Sequence, residues 1–293
     1  MKLTVTGSLG NISRILVERL TANGHEVKVI SSNADRAREI EKLGAIPSVG
    51  SLSDAGFVLR SFKGADAVYT MVPPDFSVPD YYVFADKLHE NYVQAIRLNN
   101  IQYVVNLSSI GVALAGTAPL TKYYDLEKKL NAIPGLNVVH LRPAMFYTNF
   151  YGSLEMATKQ GIIGHNLGGA VELLMTHPSD IAETAFDLLN GLSFSGHQIR
   201  YLISDIKTGN EIASTLSEAI DRPLTWVEFP DDALLAGLMQ NGFTRDTAET
   251  LVVAAGKAIR EGLFDGFKKH KAPESRTFAD FAREFAMACK RVS

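Results

Sequence analysis

A doubly wound, mostly parallel α/β sheet with a smaller, mainly helical C-terminal region is the fold this sequence predicts, and three observations carry it. Short runs rich in Val, Ile and Leu alternate with amphipathic stretches through the first 150 residues. The runs are nearly continuous in apolar residues rather than alternating, as strands covered on both faces require. A glycine-rich turn, VTGSLGNIS at 5–13, joins the first run to the first helix.

KLTVT at 2–6 is the first strand. After the glycines, Ile12, Ile15, Leu16 and Leu20 recur at helical spacing, and Gly24 ends the helix. EVKVI at 26–30 is a second strand, and Ala34–Leu43 is a charged helix that stops at Gly44. ADAVYTMV at 65–72 is an apolar strand halted by Pro73 and Pro74. A long amphipathic helix over 80–99 leads to a buried strand, YVVNLSS, at 103–109, and one more helix precedes NVVHL at 137–141. Beyond Phe150 the rhythm changes. SDIAETAFDLL at 179–189 is a helix that Ser179 or Asp180 is placed to cap. QIRYLI at 198–203 returns a strand to the sheet, and 205–293 is mostly helical with a short strand near LTWVEF at 224–229.

The bulk numbers exclude several function classes. Lys and Arg number 29 against 32 Asp and Glu, a net charge of -3, so there is no electrostatic footprint for nucleic acid or an anionic membrane. Cys289 is the only cysteine, which rules out an intrachain disulfide and a cysteine-based metal site and points to a reducing compartment. The seven His, at 25, 89, 140, 165, 177, 197 and 270, show no i, i+4 pairing of metal-site type. His140, inside an apolar strand, reads as a hydrogen-bonded core residue. No G-x-S-x-G elbow is present. No apolar run reaches the roughly 18 residues of a membrane span, and the glycine motif starts too early for a signal peptide. A cytoplasmic protein acting on a small molecule, without metal, is expected.

A strand feeding a helix through a tight glycine turn leaves backbone N–H groups converging on one spot at the positive end of the helix dipole, which suits a pyrophosphate. Gly7 permits the turn, and Gly10 lets the backbone approach a phosphate with no Cβ in the way. Ser13 stands where a third glycine normally allows close helix–strand packing. Gly7, Ser8, Leu9, Gly10, Asn11 and Ile12 are therefore the candidate cradle of a dinucleotide. Residues 1–150 form the dinucleotide-binding domain, to which 179–203 returns, while 151–178 and 204–293 make the smaller substrate-binding region.

The pattern T-G-x-x-G-x-x-[G/S] at this turn resembles that of the NmrA-like group of atypical short-chain dehydrogenase/reductases, which carry a Rossmann fold. GADAVYTMVPP (64–74), YVVNLSSIG (103–111), LRPAMFYTNF (141–150) and HPSDIAETA (177–185) are similar to that group's later motifs, so the likeness covers about residues 1–203. It implies cofactor contacts at Met71, Val72 and Pro73, at Ser108 and Ser109, and at Pro143, Ala144 and Phe146.

An NAD site usually carries an acidic residue after the second strand. Here VISSNADRAR (29–38) offers Ser31, Ser32 and Arg36, with Arg38 beyond, a set that suits the 2′-phosphate of NADP better than a bare diol. Arg36 and Arg38 also fit as ordinary exposed helix charges. NADP-type members of the resembled group often place Arg at Ser32, so the basic anchor is displaced or weaker here, and Ser51 stands where the group usually shows Asp near the adenine. NADP is favoured over NAD.

Classical relatives reduce carbonyls with Tyr-x-x-x-Lys, the Lys lowering the Tyr pKa. YDLEK at 124–128 matches the expression. The resembled group's register, fixed by Glu127, Leu130 and HLRP, instead sets Tyr123 at the Lys position and Pro119 at the Tyr position. Tyr124 and Lys128 are then a decoy. Tyr123, where similar quinone- and dye-reducing members often carry His, is the candidate for orienting substrate or cofactor; a structural helix tyrosine is the other reading. Ser108 and Ser109 serve the nicotinamide ribose or substrate, or simply the turn after their strand. Phe146, Tyr147, Phe150 and Tyr151 either wall an aromatic acceptor or seal the junction between the two halves.

Hydride transfer needs little from the protein beyond orientation and exclusion of water, because the cofactor carries the reactive atom. Two functions remain open. One is an NAD(P)H-dependent reductase of a quinone, azo dye or enone. The other is a non-catalytic NADP-binding sensor that regulates a partner protein.

Overall fold

The computed structural model describes residues 1–292 except 74, 76, 77 and 116–122, so Pro74 and Pro119 lie outside the described residues. The chain divides into two compact units. The first is built from Met1–Val112, Lys122–Arg142 and Ile181–Arg200; the second takes Pro143–Asp180 and most of the chain from Tyr201 on. Pro143–Phe150 thus groups with the second unit, where the sequence reading joined it to the first.

The first unit's frame is a seven-stranded sheet. Its strands are β1 (Lys2–Val5), β2 (Glu26–Ser31), β3 (Ile46–Val49), β4 (Ala67–Thr70), β5 (Tyr103–Leu107), β6 (Asn137–Pro143) and, after three strands of the second unit, β10 (His197–Leu202). The order is β10-β6-β5-β4-β1-β2-β3, and β1 through β6 are parallel throughout. The expected doubly wound sheet is present, with the returning strand beside β6. Central strands are dry on both faces: all four residues of β4 are buried. At the edge, β3 carries Pro47, which a central position would not tolerate, and leaves Ile46 and Val49 exposed.

Helices α1 (Ser13–Ala22), α2 (Ala37–Lys42), α3 (Ala55–Phe62), α4 (Tyr81–Leu98) and α5 (Tyr123–Asn131) follow their strands. The start of α4 is set by Asp80, whose carboxylate accepts from Val83 N–H at 2.9 Å. Its apolar face, Tyr81, Ala85, Leu88, Tyr92 and Ile96, is buried. The helix expected over Ala34–Leu43 is split: Asn33 accepts from Asp35 N–H and opens a 3₁₀ turn at Ala34–Arg36 before α2 begins. His140 is a core residue as expected. Asn106 Nδ2 donates to its Nδ1 at 3.1 Å, which leaves Nε2 to donate to Asn131 Oδ1 at 2.9 Å, and burial pushes its pKa down to about 4.

The second unit holds a three-stranded sheet of β7 (Met145–Phe146), β9 (Glu172–Thr176) and β11 (Asp205–Thr208), and a parallel pair of β8 (Ile162–His165) with β12 (Thr225–Glu228). Its helices include α6 (Leu154–Gln160), α8 (Gly209–Ile220) and the C-terminal helix Phe278–Val292, while α7 (Pro178–Gly191) begins in it. Phe278, Phe281 and Phe285 of the C-terminal helix share one face and are 0 % exposed. They close on Tyr147, Phe150 and Tyr151, with ring centroids 5.3–6.2 Å apart. This corrects the aromatic-wall expectation for Tyr147 and Phe150, while Phe146 and Tyr151 are half-buried. Tyr147 and Phe150 are fully packed core of the second unit and keep no free face for an acceptor.

A second correction concerns the cap of α7. His177 Nδ1 accepts from Ser179 N–H at 3.1 Å and does the capping, while Asp180 accepts from the Arg276 guanidinium at 2.7 Å and from Ser204. The C-terminal helix is gripped in a similar way. Asp205 on β11 accepts from Phe278 N–H at 3.1 Å and pairs with Lys271 at 3.1 Å. Burial works to raise the Asp205 pKa, yet the bonds from Phe278, Lys271 and Ile206 outweigh it and hold it below the usual carboxylate value. The stabilisation it gives is present above the unfolded-state pKa and lost as pH falls through the folded one. Asp205→Asn should lower the urea-unfolding free energy by about 1–3 kcal/mol near pH 7, with the deficit starting to shrink below about pH 4, where the unfolded chain takes up the proton first, and vanishing only below the lower folded-state pKa.

Candidate functional site

The parallel order reverses direction between β1 and β4, the switch point where open α/β sheets bind ligands beyond the strand ends. Both strand ends are fastened there. Met71 N–H donates to Thr6 Oγ1 at 2.9 Å, and the Tyr92 hydroxyl donates to the Met71 carbonyl at 2.7 Å. Val72 is buried and Pro73 half-buried just beyond.

The glycine loop leaves β1 at this point. Gly7 has φ of 89°, and a Cβ there would stand 2.7 Å from Ser13 Oγ and 3.0 Å from Met71 Cγ. Ser13 itself donates to the Thr6 carbonyl at 2.9 Å. The serine in the third-glycine position is therefore stitched to the strand rather than merely tolerated. Ser8 and Gly10 spend their N–H groups on Ile30 and Gly7 carbonyls, at 3.0 and 3.1 Å. Among the described residues, the N–H groups of Leu9, Asn11 and Ile12 have no backbone acceptor. No side chain caps α1, whose N-cap residue is Ile12. Asn11 and Gly10 are exposed, and a Cβ on Gly10 would meet only the Gly7 carbonyl, at 3.3 Å. Unspent donors in the turn leading into α1, beside the exposed Gly10 and Asn11, fit a diphosphate.

At the end of β2, Ser31 is 2 % exposed and its hydroxyl is saturated. It accepts from Ser8 Oγ at 2.9 Å and from Asn33 N–H, and donates to the Asn33 carbonyl at 3.0 Å. The expectation that Ser31 faces a phosphate is thereby corrected: its work is to tie the glycine loop to β2. Ser32 is exposed. Arg36 is half-buried and reaches back to the loop, donating from Nη1 to the Leu9 carbonyl at 3.1 Å. Arg38 is exposed. Of the two arginines, only Arg36 stands over the cradle.

Tyr123 opens α5 and is hydrogen-bonded to Tyr81, which opens α4. Burial pushes the Tyr123 phenol up, and the Tyr81 bond works against that rise. Tyr69 and Tyr92 lie close enough for their phenols to feel its charge. Tyr124 and Lys128 stand on the exposed side of α5, the ammonium 5.4 Å from the ring centre. The matching expression at 124–128 is thus a surface pair.

Ser108 is 4 % exposed and donates to Glu127 Oε1 at 2.5 Å. The same carboxylate takes Arg142 in a bidentate pair, Nε at 3.0 Å and Nη2 at 2.6 Å. The Glu of the E-x-x-L register and the Arg of L-R-P are therefore a buried ion pair joining α5 to β6, and the Ser108 proton is committed to it rather than to a ribose. Ser109 is half-buried and accepts from Gly111 N–H. Pro143, Ala144 and Phe146 belong to the second unit, where Ala144 N–H is spent on Thr176 Oγ1 and Leu202 O. Reasoning from sequence missed Tyr81, Tyr92 and the Glu127–Arg142 pair, whose partners are remote along the chain. Among the described residues no group of three or more His, Cys, Asp or Glu could hold a metal, and no helix is long and apolar enough to cross a membrane.

Residues 7–190 match the model of a protein family described as NAD(P)H-binding. An NAD(P)H azoreductase of Xenophilus azovorans is 23% identical over 293 residues, covering 98% of each chain. Among solved structures, the triphenylmethane reductase of Citrobacter sp. complexed with NADP(H) superposes with a TM-score of 0.79, at 18% identity, over 98% of this chain and 100% of that one. NmrA, a negative transcriptional regulator solved with NADP, superposes with a TM-score of 0.73 at 15% identity, over 100% and 97%. At such identities the superpositions establish the fold.

Proposed function

This chain belongs to the NAD(P)H-binding family, and on that premise we propose that it is an NAD(P)H-dependent oxidoreductase of the NmrA-like group, passing hydride to a small unsaturated or aromatic acceptor of the quinone, azo-dye or enone type. NADP(H) is the preferred coenzyme. The observation that carries the reading is Tyr123: an inward phenol, hydrogen-bonded to Tyr81, electrostatically close to the Tyr92 that fastens the switch point. The azo and triphenylmethane dyes reduced by similar proteins are acceptors of that chemistry.

When bound, the reduced nicotinamide supplies the hydride. The N–H groups of Leu9, Asn11 and Ile12, in the turn leading into α1, would hold the diphosphate, and Arg36 the adenosine 2′-phosphate. Tyr123 orients the acceptor and gives a proton to the atom that gains negative charge as hydride arrives. With Lys128 on the surface, the match at 124–128 supplies no Tyr-Lys pair for that phenol. Alcohol oxidation and sugar epimerisation, which need a strong positioned base, are disfavoured for that reason. The same absence supports the second reading, an NADP-occupied sensor of the kind the NmrA likeness suggests.

Mixing the purified protein with NADPH and a panel of quinones, azo dyes and enones, while following absorbance of the reduced coenzyme, separates the two. Oxidation with at least one acceptor is expected; tight binding with none oxidised would assign the sensor. Tyr123→Phe should lower kcat about a hundredfold with nucleotide affinity unchanged. Arg36→Ala should weaken NADPH about 10- to 100-fold in calorimetry, the worth of a charge-assisted phosphate contact, and leave NADH within about twofold.

A further inference from the structure

Four tyrosines gather where β4, α4 and α5 meet in the first unit. Tyr69 on β4 and Tyr92 on α4 are 0 % exposed, and Tyr81 is 6 % exposed. Among the described residues the Tyr69 hydroxyl is buried and has no hydrogen-bond partner. The Tyr81 ring is held by its neighbours, with centroids 6.2 Å from Tyr82 and 6.4 Å from Phe84. Its phenol meets that of Tyr123 in a hydrogen bond. The two helix starts are thereby joined through their first residues.

A phenol that gives up its proton in such surroundings leaves an anion with little solvation. Classical relatives solve this with the Lys of Tyr-x-x-x-Lys, a position that the register of Glu127 and Leu130 gives here to Tyr123 itself. Resting on the reductase reading above, we infer that Tyr81 is a positioning residue for proton delivery, its hydroxyl hydrogen-bonded to Tyr123 in place of the missing lysine. The step balances simply. The acceptor gains a hydride from the reduced coenzyme and a proton from the Tyr123 hydroxyl. Tyr81 donates its hydrogen bond to the phenolate oxygen as the charge develops, and Tyr123 is reprotonated along the same bond, Tyr81 recovering its own proton from water. A neutral donor stabilises the anion less than an ammonium would, so the device suits acceptors that take hydride readily.

The test is the Tyr81→Phe variant, which keeps the ring and its packing, read in two ways. With 3,5-difluorotyrosine at position 123, ¹⁹F NMR follows the ionisation of that phenol directly, without turnover. Removing the Tyr81 donor should raise its apparent pKa by about one unit, the worth of one hydrogen bond. In steady-state assays Tyr81→Phe should lower kcat about tenfold, leave the NADPH dissociation constant unchanged, and have no further effect on a Tyr123→Phe background. An unmoved titration with wild-type turnover intact would overturn the inference alone, as would a kcat loss that persists undiminished in the double variant. No turnover in the wild type with any acceptor would overturn both the reductase reading and the proton-delivery role, even with a shifted titration; the shift would then establish the Tyr81–Tyr123 couple and nothing more.

Discussion

Gly10→Val is expected to weaken NADP(H) binding by about a hundredfold or more while leaving the melting temperature nearly where it was. Losing two phosphate contacts of the charge-assisted kind costs about 3–6 kcal/mol, and each 1.4 kcal/mol is a factor of ten in affinity. The strain stays local because a Cβ at Gly10 crowds only the Gly7 carbonyl, at 3.3 Å, within the loop and otherwise points to an exposed surface. Gly7 is the internal contrast. Its φ of 89° and the 2.7 Å approach to Ser13 Oγ mean that Gly7→Ala strains the backbone and displaces the serine. That variant should lose about 1–3 kcal/mol of stability along with its nucleotide. Calorimetry for affinity and thermal unfolding for stability separate the two effects. A Gly10→Val protein that binds like the wild type would remove the loop from the account.

The second large effect concerns stability rather than binding. Glu127 and Arg142 are buried to 5 % and 10 % side-chain exposure, and the carboxylate also takes the Ser108 hydroxyl. Truncating Glu127 to alanine leaves a guanidinium buried without its counter-charge, which costs about 3–5 kcal/mol. Urea unfolding should show the midpoint falling accordingly. Replacing both partners at once, Glu127→Leu with Arg142→Met, should recover most of the loss, because the penalty lies in the orphaned charge and not in the absence of the pair. If the single variant unfolds like the wild type, the pair is solvated and its structural role is wrong.

These two sites also mark the border of what the sequence made legible. The glycine loop is local: strand, turn and helix follow one another within 5–22, and the chemistry of each position can be read from its neighbours. Parallel strands β1, β2, β4, β5 and β6 announce themselves because burial on both faces demands continuous apolar runs. Edge strand β3 does not, since IPSV carries a proline and half-exposed side chains. The decoy at 124–128 was recognisable through the register of Glu127 and Leu130, and the exposed Tyr124–Lys128 contact agrees.

Long-range contacts were the part the sequence hid. Nothing near Ser31 signals that its hydroxyl is claimed by Ser8, and nothing near Ser108 signals Glu127. Phe146–Tyr151 looks like a binding wall when read alone. Its meaning changes once Phe278, Phe281 and Phe285, one helical face far along the chain, pack against Tyr147, Phe150 and Tyr151. Tyr81 is the sharpest case. It is unremarkable at the start of a helix, and only the folded chain sets its phenol on Tyr123.

The central claim is that the unspent amides of the turn leading into α1 hold the diphosphate of a nicotinamide coenzyme. A crystal structure of the protein grown with NADP tests it most directly. Diphosphate oxygens within hydrogen-bond distance of the Leu9, Asn11 or Ile12 N–H groups, with the 2′-phosphate against Arg36, are the predicted result. A nucleotide bound elsewhere on the chain, with that turn closed by its own side chains, would contradict it.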